Sequence, residues 1–142
     1  MNTPIPTLSF ETVDQDDLVM FIRQKDKIIS AVIDRLERHE DLTSVQQDED
    51  KTRLAKECVR IFAENFTVTM KYRLAPALLD YLEWLREFLR YRNFPPSFVP
   101  LMISAMKTAT HAFMEENNCN DICGALRLLK EREKAIVQEV RV

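Results

Sequence analysis

The hydrophobic pattern along this 142-residue chain is helical over most of its length. Apolar side chains recur at steps of three and four, the spacing that places them on one face of an α-helix. The pattern is densest over residues 78–96, where one stripe holds Leu78, Leu82, Leu85 and Leu89. A second stripe beside it holds Ala77, Tyr81, Trp84, Phe88 and Tyr91. More than half of the surface of this helix is apolar, so the helix needs neighbours on two sides. It is predicted either to be the central helix of a bundle or to pack one stripe on the core and the other on a second copy of the chain.

The same period predicts further helices before and after this one, over residues 14–24, 26–39, 50–73, 98–116 and 121–142. A break is expected at Lys25 or Asp26, and a polar elbow is expected over residues 117–120. Asp and Ser side chains accept hydrogen bonds from the free amides of a first helical turn. On that basis Asp48 or Asp50 is predicted to cap the helix over 50–73, and Ser97 the helix over 98–116.

Residues 1–13 have no helical period and contain two prolines, which predicts a flexible N-terminal arm whose Leu8 and Phe10 pack onto the domain. Residues 14–142 are the right length for a single helical domain. The chain has one glycine, Gly124, although tight turns and phosphate-binding loops both rely on glycine. The sequence therefore predicts an all-α bundle of five to six helices and excludes glycine-rich nucleotide-binding loops.

Charge and cysteine content exclude further classes of protein. The net charge is −3 and no helix carries a dense basic cluster, so nucleic-acid binding is not expected. The three cysteines have no paired CxxC spacing, and no secretory signal precedes them, which favours a reducing, cytoplasmic location. The apolar runs are only a few residues long, so no membrane-spanning segment is expected.

Few residues are candidates for chemistry. His39 and His111 are the only histidines and lie far apart along the sequence, and a metal site would need further ligands arranged around one of them, so no metal site and no cofactor are expected. Cys119 and Cys123, four residues apart, would suit a soft metal or an oxidation sensor, but we interpret them as small apolar residues. No nucleophile with a base, and no opposed pair of acids in apolar surroundings, is visible, so the chain is predicted not to be an enzyme.

The aromatic stripe has three interpretations: monomer core, dimer or partner interface, and small-ligand pocket. Because the helix has two apolar stripes, we predict a homodimer. Its centre would be either the aromatic residues or the exposed part of the last helix. The candidate residues are Tyr81, Trp84, Phe88 and Tyr91 on the first surface, and Leu129, Ile136 and Val140 on the second.

A family resemblance adds to this pattern. Its residues are the apolar positions Phe21, Ile22, Ile28, Ile29, Val32 and Leu36, then Tyr81-x-x-Trp84 with Leu85, Leu89, Arg92 and Pro95. From residue 16 to residue 142 the chain resembles the N-terminal sensor domains of stressosome proteins, and similar helical modules lie beside cobalamin-binding domains in bacterial regulators. The resemblance implies a globin-like domain without haem that pairs as a dimer.

The function expected from this resemblance is that of a non-enzymatic, cytoplasmic signalling input domain. Binding of a ligand or a protein signalling partner would change how the aromatic helix packs against the last helix, which would transmit the change. Two alternatives stay open. One is a haem-binding, globin-like gas sensor with His111 as ligand, since Met102, Met106 and Phe113 share its helix. The other is a stand-alone protein-binding adaptor.

Overall fold

Helices make up most of the computed structural model, which describes residues 7–140, without the side chains of residues 139 and 140. The α-helices are α1 Gln15–Glu37, α2 Thr43–Gln46, α3 Glu49–Lys71, α4 Ala75–Arg90, α5 Phe98–Phe113 and α6 Glu116–Val140, and a short 3-10 helix, Glu40–Leu42, precedes α2. No strand occurs between residues 7 and 140. The prediction of an all-α bundle is confirmed, whereas the globin-like arrangement stays a prediction. In the same residues, no helix is both long and apolar enough to cross a lipid bilayer.

The first helix is continuous, so the predicted break at Lys25 or Asp26 is wrong. Neither residue interrupts a helix interior as proline does, and Lys25 forms an ion pair with Glu64 of α3. One buried face runs along the whole of α1, through Leu18, Phe21, Ile28, Val32 and Leu36. Burial of this face against α3 and α5 keeps α1 helical through its polar middle.

The most enclosed helix is α5, which packs against both α1 and α6. Its buried residues include Phe98, Met102, Ile103, Met106 and Ala109. The expectation that the aromatic helix is the central one is therefore wrong for this chain by itself. That helix is α4, and it buries only its leucine stripe while Trp84 stays 57% exposed.

The described part of the N-terminal arm lies on the bundle. Leu8 and Phe10 are buried, as predicted, and the Phe10 ring meets the Phe66 ring edge-on at 6.0 Å. The Asp14 side chain then caps α1 by accepting a hydrogen bond from the Asp16 amide at 2.7 Å. Residues 1–6 lie outside the described part of the chain, so flexibility there stays a prediction.

The turn between α5 and α6 falls earlier than the sequence predicts. Met114 is extended, with φ −121° and ψ 149°, and α6 already begins at Glu116. The polar elbow expected over residues 117–120 is helical because the buried Met114 side chain fixes the turn, whereas polar residues alone do not end a helix. Cys119 and Cys123 therefore lie one helical turn apart on α6.

Candidate functional site

Three faces of α4 have different surroundings. The leucine stripe, Leu78, Leu82, Leu85 and Leu89, is buried in the core, as its spacing predicts. Beside it, the aromatic residues of the second stripe form a partly exposed surface, which we call the aromatic surface: Tyr81, Trp84, Phe88 and Tyr91. On a third face Arg86 points toward α6. A change at the aromatic surface therefore acts on the helix that also carries Arg86.

The aromatic surface is an ordered stack. The ring centroids of Tyr81 and Trp84 are 6.2 Å apart, and those of Trp84 and Phe88 are 4.9 Å apart, with interplanar angles of 28° and 25°. The Arg92 guanidinium lies 3.7 Å from the centre of the Phe88 ring, within the range of a cation–π contact. Tyr91, next to Arg92, is 76% exposed. Exposed aromatic side chains that are already ordered are typical of protein interfaces.

The inner edge of the stack rests on α3. Burial raises the pKa of the Tyr81 hydroxyl well above its usual range, and the nearby Cys58 thiol of α3 adds to the rise. On α3 itself, Ile61 and Val68 are about half exposed and lie two turns apart, which places them on one face of that helix. Cys58 of α3 therefore lies beside the inner edge of the aromatic surface.

An ion pair joins the opposite face of α4 to α6. Nη1 of Arg86 lies 2.7 and 2.8 Å from the two carboxylate oxygens of Glu133, which is fully buried. Burial raises the pKa of Glu133, and the Arg86 guanidinium opposes that rise. Removing either partner would leave a poorly solvated charge, so the pair fixes where α4 lies on α6.

Sequence reasoning missed this pair. Neither Arg86 nor Glu133 is among the residues that the sequence pattern singles out. The available signal was the position of Glu133, which lies seven residues after Leu126 and four after Leu129 on the buried face of α6. A carboxylate at an apolar position needs a partner, but periodicity does not say which one.

A cleft of about 320 Å³ adjoins the ion pair. Its walls come from the end of α4, the turn that follows it, the start of α5 and the last third of α6, including Arg86, Arg90, Phe94, Val99 and Ile136. This volume is at the lower end of the range for small-molecule sites. Any occupant of the cleft would contact both helices that the ion pair connects.

The candidate residues of the last helix separate in the structure. Leu129 is fully buried, which corrects the expectation that it belongs to an exposed surface, because α6 stays packed on the bundle through Glu133. Ile136 is half-buried and lines the cleft. The side chain of Val140 lies outside the described residues. Among the interface candidates whose side chains the structure describes, the exposed cluster is the aromatic surface.

A second cluster joins residues that the sequence analysis treated separately. The ligand atoms of His111, Cys119 and Cys123 all lie within 4.8 Å of one another, and the Cys119 sulfur is 3.6 Å from Nδ1 of His111. The early turn at Met114 brings this first part of α6 back against the end of α5. For a haem site, His111 lies on the wrong side of α5, because it is exposed while Met102 and Met106 are fully buried.

No protein-family model, curated protein or solved structure matches this chain. The resemblance to stressosome sensor domains therefore stays a prediction from the sequence pattern. The geometry of α4 and its neighbours is the basis for a functional hypothesis.

Proposed function

We propose that this chain is a non-enzymatic, cytoplasmic signalling input domain that forms a homodimer through the aromatic surface. Formation of the dimer, or its rearrangement by a protein signalling partner, changes how α4 packs on α6. The observation that carries this proposal is the buried Arg86–Glu133 pair, which links the helix of the aromatic surface to α6.

Exposed apolar area supports the choice of a second copy as the occupant. With Trp84 57% and Tyr91 76% exposed, these two rings leave roughly 250 Å² open to solvent. Burying that area on both copies contributes on the order of 12 kcal/mol before the costs of association are subtracted. A standard interface covers about 800 Å² per partner, so most of the remaining area would come from residues around these two rings, among them the partly exposed Tyr81 and Phe88.

In this proposal a change at the aromatic surface is transmitted to α6, and we call this transmission the relay. It depends on how close Trp84 and Arg86 lie along α4. They are two residues apart, so a rotation of α4 that reorients the indole also moves the guanidinium. A buried ion pair is stable in few geometries. When Arg86 moves, Glu133 would therefore either move with it or lose its ion pair with the guanidinium. Both responses move or loosen the second half of α6, which is the output in this proposal.

Sedimentation at micromolar concentration tests the dimer. Trp84→Ala and Tyr91→Ala are expected to weaken association at least tenfold each, because central aromatic side chains dominate interface energies. The matched control is Phe113→Ala, which removes a 40% exposed aromatic ring at the end of α5, and it should leave association unchanged. Helical content should stay the same in all three variants. A monomer at every concentration would refute the dimer and favour the adaptor alternative.

Amide hydrogen exchange tests the relay separately. In the wild-type chain, exchange in the second half of α6 should change when the dimer forms. In the double variant Arg86→Met/Glu133→Leu, which replaces the pair with apolar side chains, the dimer should form equally while α6 no longer responds. An equal response of α6 in both proteins would refute the relay and leave the dimer intact.

A further inference from the structure

Three metal-ligating side chains meet where α5 ends and α6 begins. His111 occupies the last turn of α5 and is exposed, whereas Cys119 and Cys123 are buried on successive turns of α6. Nothing in the dimer proposal uses them, and they lie on helices other than α4. This cluster is therefore independent of the proposed function.

The distances suit a tetrahedral ion. Zinc binds thiolate sulfur at about 2.3 Å and imidazole nitrogen at about 2.0–2.1 Å, which sets the sulfur and nitrogen ligands about 3.5 Å apart. The Cys119 sulfur and Nδ1 of His111 are 3.6 Å apart, and all three ligand atoms lie within 4.8 Å of one another. Small side-chain movements would complete a site with three protein ligands.

We propose that His111, Cys119 and Cys123 bind one Zn²⁺ ion, with the fourth position open to water on the exposed side of His111. The two sulfurs bind as thiolates and release their protons to solvent, while the neutral imidazole binds through Nδ1 and keeps its proton on Nε2. Two thiolates and an imidazole are a ligand set that zinc favours. The bound ion would clamp the start of α6 to the end of α5.

The surroundings of the two thiols favour metal binding over a role as an oxidation sensor. Without a metal, the Cys119 sulfur lies 3.7 Å from the Glu116 carbonyl, and the Cys123 sulfur 3.9 Å from the Lys107 carbonyl. Both thiols are buried. Oxidation needs an exposed thiolate, whereas a divalent cation removes the thiol proton when it binds.

A metal titration of the reduced, chelator-treated full chain tests this site. Zinc added in competition with a chromophoric chelator should bind with a stoichiometry of one ion per chain. Cobalt(II), used as a spectroscopic probe, should give thiolate charge-transfer absorption and the intense visible bands of a tetrahedral site. Zinc should also raise the melting temperature, because it binds the folded chain.

Three variants locate the ion. His111→Ala removes an exposed side chain, so the fold should persist. His111→Ala and Cys123→Ala should each weaken zinc binding more than the 10- to 100-fold typical for loss of a second-shell partner. The matched control is Cys58→Ala, which removes a buried thiol on α3 and should leave zinc binding unchanged.

Three results would overturn the proposal. The first is no binding of one zinc ion per chain. The second is unchanged affinity in His111→Ala. The third is an equal loss of affinity in Cys58→Ala and Cys123→Ala, which would trace the loss to folding. Because none of these variants changes α4, the dimer remains a separate test.

Discussion

Both carboxylate oxygens of Glu133 accept hydrogen bonds from one guanidinium nitrogen of Arg86, and Glu133 has no solvent-exposed surface. Burying a charge is unfavourable by several kcal/mol, which its partner offsets only when the geometry is good. The Arg90–Glu87 pair on the same helix has a similar distance, 2.9 Å, but both of its side chains are exposed. The two arginines of α4 should therefore differ greatly in their effect on stability.

Arg86→Ala is expected to lower the free energy of unfolding by about 3 kcal/mol, because it leaves the Glu133 charge buried without a partner. Loss of the guanidinium removes the positive charge and the hydrogen bonds that oppose the rise in the pKa of Glu133. The folded variant then binds a proton more tightly than the unfolded chain, so the loss of stability should shrink as the pH is lowered. Denaturant unfolding at several pH values measures both effects.

Arg90→Ala is the control for this prediction, and it should change stability by less than about 1 kcal/mol. Equal losses in the two variants would contradict the importance assigned to burial.

The helices α3 and α5 begin with different caps. The Asp48 side chain accepts a hydrogen bond from the Lys51 amide at 3.1 Å at the start of α3. Ser97 has helical backbone angles, φ −73° and ψ −10°, and its side chain makes no capping bond at the start of α5. Burial of Phe98, Val99 and Pro100 holds that end of α5 instead.

Asp48→Ala should destabilise the chain by about 1 kcal/mol, because it leaves an amide of the first turn without its partner. Ser97→Ala should stay within about 0.5 kcal/mol of the wild type. Thermal and denaturant unfolding measure the difference. Equal destabilisation by the two substitutions would contradict the prediction that only Asp48 contributes as a side-chain cap.

The start of α1 and the start of α6 meet through acidic residues. Asp121 accepts a hydrogen bond from the Asp14 amide at 2.8 Å, a contact between residues 107 positions apart in sequence. Partial burial, and next a hydrogen bond with Asp121, raise the pKa of Asp17 to about 6. Two carboxyl groups that share a proton are stable only while one of them is protonated.

The pH dependence follows from this pair. The folded-state pKa of Asp17 lies above its ordinary value of 3.8, so its contribution to stability is full below about pH 4 and is lost as the pH rises through 6. Asp17→Asn should remove this dependence, so from pH 5 to 7.5 the wild type should lose on the order of 1 kcal/mol relative to the variant.

Asp16→Asn is the matched control for the pair, because it removes a charge from the same helical turn without touching Asp121. Unfolding curves that shift in parallel for Asp17→Asn and Asp16→Asn would show that the helix dipole, rather than the carboxyl pair, sets the pH dependence.

Apolar spacing by itself determined that the chain is all-α, where most helices lie, and which leucines of α4 are buried. It also identified the aromatic surface as a candidate interface, and the acidic residues before α3 predicted Asp48 or Asp50 as its cap, of which Asp48 is confirmed. These properties are local, because the period of a helix fixes its buried face within a few turns. The predicted boundaries over residues 117–120 and at Lys25 or Asp26 were wrong because burial, rather than local polarity, decided where these helices end.

Only the tertiary structure decided which residues of different helices meet. It paired Glu133 with Arg86 across 47 positions of the sequence, and it placed His111 beside Cys119 and Cys123. It also showed that Trp84 is exposed and Leu129 is not. The reason is physical: each of these contacts depends on the direction in which one helix leaves a turn and crosses another, and a repeat of three and four residues carries no information about that direction.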